Sequence, residues 1–373
     1  MLDQPPIWLI VVAFICAIGP LVFFHELGHY LVGKLFGVGA ETFSIGFGRE
    51  ITGWTDRSGT RWKVGWLPLG GYVRFVGDEE QAGGSEAPER DIRGEKFATQ
   101  EVWKRFLIVL AGPMANFVLA IIIFACFFAA FGIPRTPNVV LSVQPGTAAA
   151  AAGLHKGDRI EAVAGQSTPT FEDVQRVVGL RPGEEVMLRI GRDGNTELVP
   201  TTLGVHEEQD RFGQKYRLGL LGVYATGREL QDVPPAMLVP EATRYTWLLT
   251  KTTWEGLVQI VTGRRSIDEL GGPLKMAQVA GQQASLGPFQ FVQLLALFSI
   301  NLGFINLLPV PVLDGGHLLF YAVEAVRRRP LSVRAQEWAF RGGLALLLAL
   351  LLFTTVNDLG SFGLWERLGR LIG

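Results

Sequence analysis

A chain of 373 residues with 48% hydrophobic and only 18% charged residues, and a mean hydropathy of +0.27, is too apolar for an ordinary soluble domain. The formal net charge of −1, with no basic tract interleaved with aromatics, argues against a nucleic-acid partner. Two cysteines, Cys16 and Cys126, both inside apolar runs, argue against a disulfide framework and read as small buried hydrophobes.

The first apolar stretch, within residues 1–36, exceeds the about 20 residues that a membrane-spanning helix needs. It is not a cleavable leader, because Asp3 is the only charge ahead of it and it carries His25, Glu26 and His29. These three form an HELGH motif. On a helix, His25 and His29 share a face and can ligate one Zn²⁺, while Glu26 can serve as general base on a metal-activated water. Ionisable groups are costly inside a bilayer, so their presence here points to function and to partners elsewhere in the membrane.

Residues 37–105 contain short alternating runs at 42–47, 61–67 and 72–76 separated by glycines, which predict a small β-meander. Its Trp54, Trp62, Trp66 and Tyr72 suit either a membrane interface or a solvent-facing hairpin. The polar, glycine-rich stretch 77–96 that follows is expected to be mobile. Residues 106–133 predict a second span, with Asn116 inside it.

In residues 134–228, strand-like runs at 139–143, 159–163, 185–190 and 196–201 enclose a helix-like piece at 171–178. "PGTAAAAAGLHKGDRIEAVAGQ" resembles a PDZ domain of the bacterial protease type, which binds an extended peptide along a sheet edge. That resemblance implies a groove-lining strand near residues 217–223. Arg217, Leu218, Gly219, Leu220, Leu221 and Gly222 are then the candidate loop for a peptide C-terminus, or the domain is only a steric plug. Residues 229–288 predict an amphipathic helix on the membrane surface at 234–263, followed by a linker.

Residues 289–326 predict a third span broken by prolines and glycines around Asp314 and His317. A catalytic zinc site needs a third protein ligand. Composition leaves Asp314 and His317 in competition for that place. Residues 327–341 form a basic loop with "RRRP", Arg334 and Arg341. Residues 342–373 hold a short leucine-rich fourth span and a tail. The arginine cluster places that loop in the cytoplasm, which puts 37–105 in the cytoplasm and 134–288 outside. The expected architecture is thus a polytopic α-helical membrane protein with about four transmembrane helices, a small cytoplasmic β-meander and one extracytoplasmic PDZ domain of β-rich α+β type.

HELGH paired with Asn306, Pro309, Pro311, Leu313, Asp314, Gly315 and Gly316, with "GFGRE", "PLGGYV" and "AGPMAN" between them in order, resembles the site-2 protease family. These are intramembrane zinc metalloproteases, and the likeness is to the bacterial branch that includes the regulator of sigma-E protease. The resemblance implies His25, His29 and Asp314 as zinc ligands, Glu26 as base, and Asn306 and Asn301 as contacts to the substrate backbone. His317 then falls to a supporting role. Asn116 is expected to polarise the substrate or to make an ordinary helix–helix hydrogen bond. It further implies the bacterial inner membrane as location, with the active site towards the cytoplasm. The implied substrates are single-span proteins, either a trimmed anti-sigma factor or signal-peptide remnants. A non-catalytic scaffold for membrane helices, or a zinc-dependent hydrolase of a non-peptide substrate, are the rival classes. The first leaves the intact motif unexplained and the second leaves the peptide-binding insert unexplained.

Overall fold

The computed structural model describes residues 5–77, 92–209, 215–225, 227, 229–262 and 271–361. It resolves into two compact units, Met1–Cys126 with Leu238–Gly373, and Phe127–Met237.

Helix α1 covers Ile7–Leu35. Lys34 lies in its last turn, where a cation complements the helix dipole, and Gly37 at φ +77° ends it in a conformation natural to glycine. Strands β1 (Ala40–Thr55) and β2 (Arg61–Phe75) follow and pair antiparallel. This is not the three-run meander expected from the alternation. Thr42, Phe43, Ser44 and Ile45 each have two partners, once with 71–74 and once with 61–64, so the first half of β1 lies between the two halves of β2. Gly46 and Gly48, at φ +86°, supply the irregular backbone that lets one long ribbon fold over itself. The turn at its tip is fastened by Asp56, whose carboxylate accepts from Ser58, Thr60, Trp62 and the Tyr30 hydroxyl. Phe43 stacks on Trp62, and Trp62 on Trp54. Trp54 and Trp66 are exposed. Most of the stretch 77–96 lies outside the described residues. Helix α2 covers Val102–Phe131.

In the second unit, β3 (Ile133–Arg135) leads to β4 (Val140–Val143), the short helix α3 (Ala148–Ala151), β5 (Arg159–Val163) and β6 (Gln166–Ser167). Helix α4 (Phe171–Gly179) comes next, and Thr170 caps it by accepting from Asp173 N–H. Strands β7 (Glu185–Arg192), β8 (Asn195–Thr202), β9 (Gly204–Gln209), β10 (Lys215–Leu220), β11 (Val223–Ala225) and β12 (Glu229–Gln231) complete it. The main sheet has the order β6-β5-β7-β8, while β9 pairs with β10, β4 with β11 and β3 with β12. Its core packs Ile160, Val163, Leu188 and Ile190 against Val174, Val177 and Val178 of α4. Asp158, in the GD turn, accepts a bidentate pair from Arg192 at 2.8 and 2.7 Å and a backbone bond from His155.

Helix α5 (Leu238–Val261) returns the chain to the first unit. The linker expected before the third span contains a further helix, α6 (Pro273–Leu286), which packs on α1 through Ala280 and Gly281. Asp358 holds its N-terminus by accepting from Gly272 and Lys275 N–H. Helix α7 (Pro288–Asn306) is followed by a break and by α8 (Asp314–Arg327). The last helix, α9 (Val333–Ser361), starts inside the stretch expected to be a basic loop and is about twice as long as its leucine run alone. The tail beyond it lies outside the described residues. Among the described residues, α1, α2, α7 and α9 are the four helices long and apolar enough to cross a membrane, and this is a multi-pass membrane protein. Cys16 and Cys126 are exposed on α1 and α2 rather than buried, because a membrane helix turns its apolar surface to lipid.

Candidate active site

His25 and His29, one turn apart on α1, turn the same way, their ring centroids 4.9 Å apart. Both are buried, as is Glu26. The packing that buries them is set by small residues. A Cβ on Gly28 would sit 2.4 Å from Ala111 O, and one on Gly112 would sit 2.2 Å from His29 Nε2. Only glycines at both positions let α1 and α2 approach this closely.

The third group arrives from a break in the chain. Residues 307–313 follow α7 as a run of tight turns, with Val310 N–H donating to Leu308 O and Leu313 N–H to Val310 O. Pro309 and Pro311 carry no N–H, so they cannot continue a helix ladder. Gly315 and Gly316 restart the helix directly against that loop, where a Cβ would fall 2.2 Å from Leu308 O and 2.4 Å from Val310 O. Asp314 thereby occupies the first turn of α8, where the helix dipole favours a negative charge.

Asp314 Oδ2 lies 3.1 Å from His25 Nε2 and 3.5 Å from His29 Nε2, and the two Nε2 atoms are 3.3 Å apart. His29 Nδ1 is 2.9 Å from Ile108 O, a carbonyl that can only accept, so Nδ1 carries the proton and Nε2 presents a lone pair. Asp314 Oδ2 is buried and receives no hydrogen bond. His29 Nε2 and the Asp314 carboxylate thus turn lone pairs towards one another and towards His25 Nε2, an arrangement suited to a cation. The spacings match it: tetrahedral ligands at zinc's usual bond lengths are about 3.3 Å apart. Among the described residues, these three form the group able to share one metal ion. His317, the competing candidate, packs instead among Phe320, Tyr321 and Phe340. It is not part of the group of metal-capable side chains that the described residues bring together.

The family model for peptidase family M50 matches residues 13–350. The chain belongs to that family. Among its relatives are the candidate zinc metalloprotease Atu1380 of Agrobacterium fabrum, 44% identical over 94% of this chain and 96% of the relative, and metalloprotease MmpA of Caulobacter vibrioides, 36% identical over 97% and 98%. This M50 peptidase is a zinc-dependent metalloendopeptidase of the membrane. A solved PDZ domain of the SdrC-like protein Lmo2051 of Listeria monocytogenes aligns with 25% of this chain and 90% of its own at 19% identity and a TM-score of 0.20. At that score the likeness carries no argument, and the second unit is characterised by its own strands and helices.

The remaining candidates of this M50 peptidase fall in several places. Glu26 is within electrostatic reach of His25, His29 and Asp314, and its carboxyl lies beside the Val73 backbone. Gly71 lets β2 pass this close, since a Cβ there would be 3.2 Å from Glu26 Cγ. Asn306 is the last residue of α7, half-buried at the start of the break. Asn301 is engaged one and a half turns earlier with Thr253 of α5, at 3.4 Å. Asn116 is wholly buried, and its Nδ2 is 3.1 Å from His25 Nδ1.

The expected single strand at 217–223 is a further correction. Residues Arg217, Leu218, Gly219 and Leu220 belong to β10 and pair with β9, Leu221 is buried in the core, and Gly222 at φ +81° breaks the strand before β11. Sequence reasoning missed Gly28, Gly112 and Ile108. The small-residue run "AGPMAN" was the visible signal for Gly112, but only the packing shows that it cradles an imidazole.

Proposed function

We propose that this membrane metalloprotease hydrolyses peptide bonds within transmembrane segments of other proteins. The observation that carries the reading is the convergence of the HELGH face of α1, a helix long and apolar enough to cross a membrane, with Asp314 on the chain break that follows α7, another such helix. His25, His29 and Asp314 would hold the zinc. When bound, zinc makes water nucleophilic near neutral pH and polarises the scissile carbonyl. Glu26 takes the proton as the water oxygen bonds to the carbonyl carbon. It passes that proton to the amide nitrogen as the C–N bond breaks.

A helical peptide bond is shielded by its own hydrogen bonds, so the substrate must unwind locally. The second half of β2, residues 71–75, has its recorded partners on one side only and runs beside Glu26. It is the edge on which an unwound substrate strand would add. Asn306 would hold the substrate backbone at the same level. Val73→Pro removes both the N–H and the edge, and should abolish cleavage while leaving bound zinc unchanged. Retained cleavage in that variant would remove the edge from the mechanism.

The second unit, residues 127–237, acts in this reading as a PDZ domain that holds back bulky ectodomains until another protease trims them. Arg217, Leu218, Gly219, Leu220, Leu221 and Gly222 would supply its peptide-binding turn. The implied substrates are single-span proteins such as a trimmed anti-sigma factor or signal-peptide remnants. The Arg327–Arg341 side lies in the cytoplasm of an inner membrane, and the PDZ unit outside it.

The deciding experiment is cleavage of a trimmed single-span substrate by the purified full chain in detergent, wild type against Glu26→Gln, with bound zinc measured in both. Cleavage lost with zinc retained is the expected result. Equal cleavage by both would refute the role of Glu26. Deleting residues 136–224 should extend cleavage to untrimmed substrates, and continued resistance would refute the filter.

A further inference from the structure

We propose that Asn116 is a positioning residue for the metal ligand His25, holding its ring by accepting a hydrogen bond from Nδ1–H. The inference rests on the ligand set proposed above. It replaces the expectation that Asn116 polarises the substrate.

Three observations support it. The Asn116 amide meets His25 at Nδ1, 3.1 Å away, on the side of the ring opposite the Nε2 that faces Asp314 and His29. It therefore touches the ligand from behind and is separated from the reaction by the ring itself. The residue is completely buried, and its Oδ1 has no hydrogen-bond partner. Leaving a buried carbonyl oxygen without a partner is costly. Finally, Asn116 is braced from both sides. Ser299 Oγ of α7 donates to its backbone carbonyl at 2.8 Å, and Gly303 leaves only 3.3 Å between a would-be Cβ and Asn116 Cβ.

The tautomer decides the rest. For Nε2 to offer a lone pair to a metal, the proton of a neutral His25 must sit on Nδ1, which then donates. The amide has an acceptor for that proton, the same Oδ1 that is otherwise unpartnered. A half-turn of the amide about its terminal bond brings that oxygen to the His25 proton and moves the amide N–H groups to the side where Oδ1 had no partner. His29 is treated the same way by the same helix, since Ile108 O accepts from its Nδ1. Ile108 and Asn116 lie about two turns apart on α2. Helix α2 is thus the element that orients both histidines, through a fixed carbonyl for one and a rotatable amide for the other. Such partners behind a ligating histidine raise its basicity and fix its ring, and losing one typically costs 10–100-fold in metal affinity.

The test is zinc affinity by chelator competition on the purified full chain in detergent, in a Glu26→Gln background so that proteolysis plays no part. Asn116→Leu keeps the bulk but has no acceptor, and should bind zinc about 10–100-fold more weakly. Asn116→Asp keeps two acceptor oxygens and loses the donor, and should bind at least as tightly as the parent. A merely structural helix–helix contact would not be rescued by a buried carboxylate. Parent-like affinity in the leucine variant, or equal loss in both variants, would overturn the proposal. If the leucine variant does not fold, the aspartate variant decides alone: retention supports the acceptor role and loss refutes it. His25→Ala is measured alongside. Should it keep its zinc, the ligand set itself fails. Should it lose zinc while Asn116→Leu does not, only the role of Asn116 fails.

Discussion

Gly112→Ala is the sharpest perturbation the packing offers, because one methyl group lands on a ligand. The added Cβ would lie 2.2 Å from His29 Nε2, 2.4 Å from Cε1 and 2.8 Å from Cδ2. Ordinary contact begins near 3.4 Å, so the ring or the helix must yield by about 1 Å. The helices cannot simply part, since Gly28 already packs against Ala111 O on the same seam. The ring cannot rotate away without giving up its bond to Ile108 O. Overpacking of this kind costs about 1–3 kcal/mol in stability. A metal site tolerates ligand shifts of only about 0.2 Å, and a misplacement of about 1 Å near the chemistry can cost 10²-fold in rate. Gly112→Ala should therefore lose at least about tenfold in zinc affinity and about a hundredfold in cleavage of a trimmed single-span substrate. Gly19→Ala on α1 is the control, because a Cβ there meets nothing within 4 Å, and it should keep both properties. Wild-type zinc content and cleavage in Gly112→Ala would refute the claim that this glycine shapes the site.

Arg105 and Glu324 pair at 2.8 Å where both side chains are largely shielded, joining α2 to α8. Arg105→Ala should lower thermal stability and zinc retention together, and the swap Arg105→Glu with Glu324→Arg should restore part of both; no recovery in the swap would show that the pair does not position α8. In the second unit, Arg192's hydrogen bonds to Asp158 hold that carboxyl below the usual carboxylate range. The stability it contributes is then present above the ordinary aspartate value of about 4 and lost as pH falls through the lowered folded value. Acid unfolding of that unit, followed by limited proteolysis of the full chain, should lose part of its pH dependence in Asp158→Asn; an unchanged profile would refute the assignment. Gly222→Ala places a Cβ 2.3 Å from Thr147 at a φ of +81°. It should destabilise the second unit by about 1–3 kcal/mol while leaving zinc content unchanged, which a melting curve and a metal analysis would check together.

Much of this molecule could be read from its residues. A bilayer imposes a length and a composition on any helix that crosses it, so four spans were legible without a structure. HELGH carries its geometry in its spacing, because a helix puts residues four apart on one face. Strand periods in residues 139–201 and the glycine-proline break near Asp314 were legible for the same reason: each is a local property of backbone and side chain. The long β1–β2 ribbon was not legible, because an alternating run does not say how many neighbours each residue will have. Helix α6 was missed because its polar residues hide it from a hydropathy reading, and its cap, Asp358, comes from a helix 83 residues further along.

The sequence by itself determined the class of this protein, the chemistry of its motif and the two candidates for a third ligand. Only the tertiary structure shows Asp314 within reach of both histidines and His317 packed among a cluster of rings, beside the ligand set that the resemblance had already implied. It also decided the part played by α2, whose Gly112, Ile108 and Asn116 touch the histidines although some 80 to 90 positions separate them in the chain. Contacts over such separations depend on how closely two helices can approach, and no local pattern of residues encodes that distance.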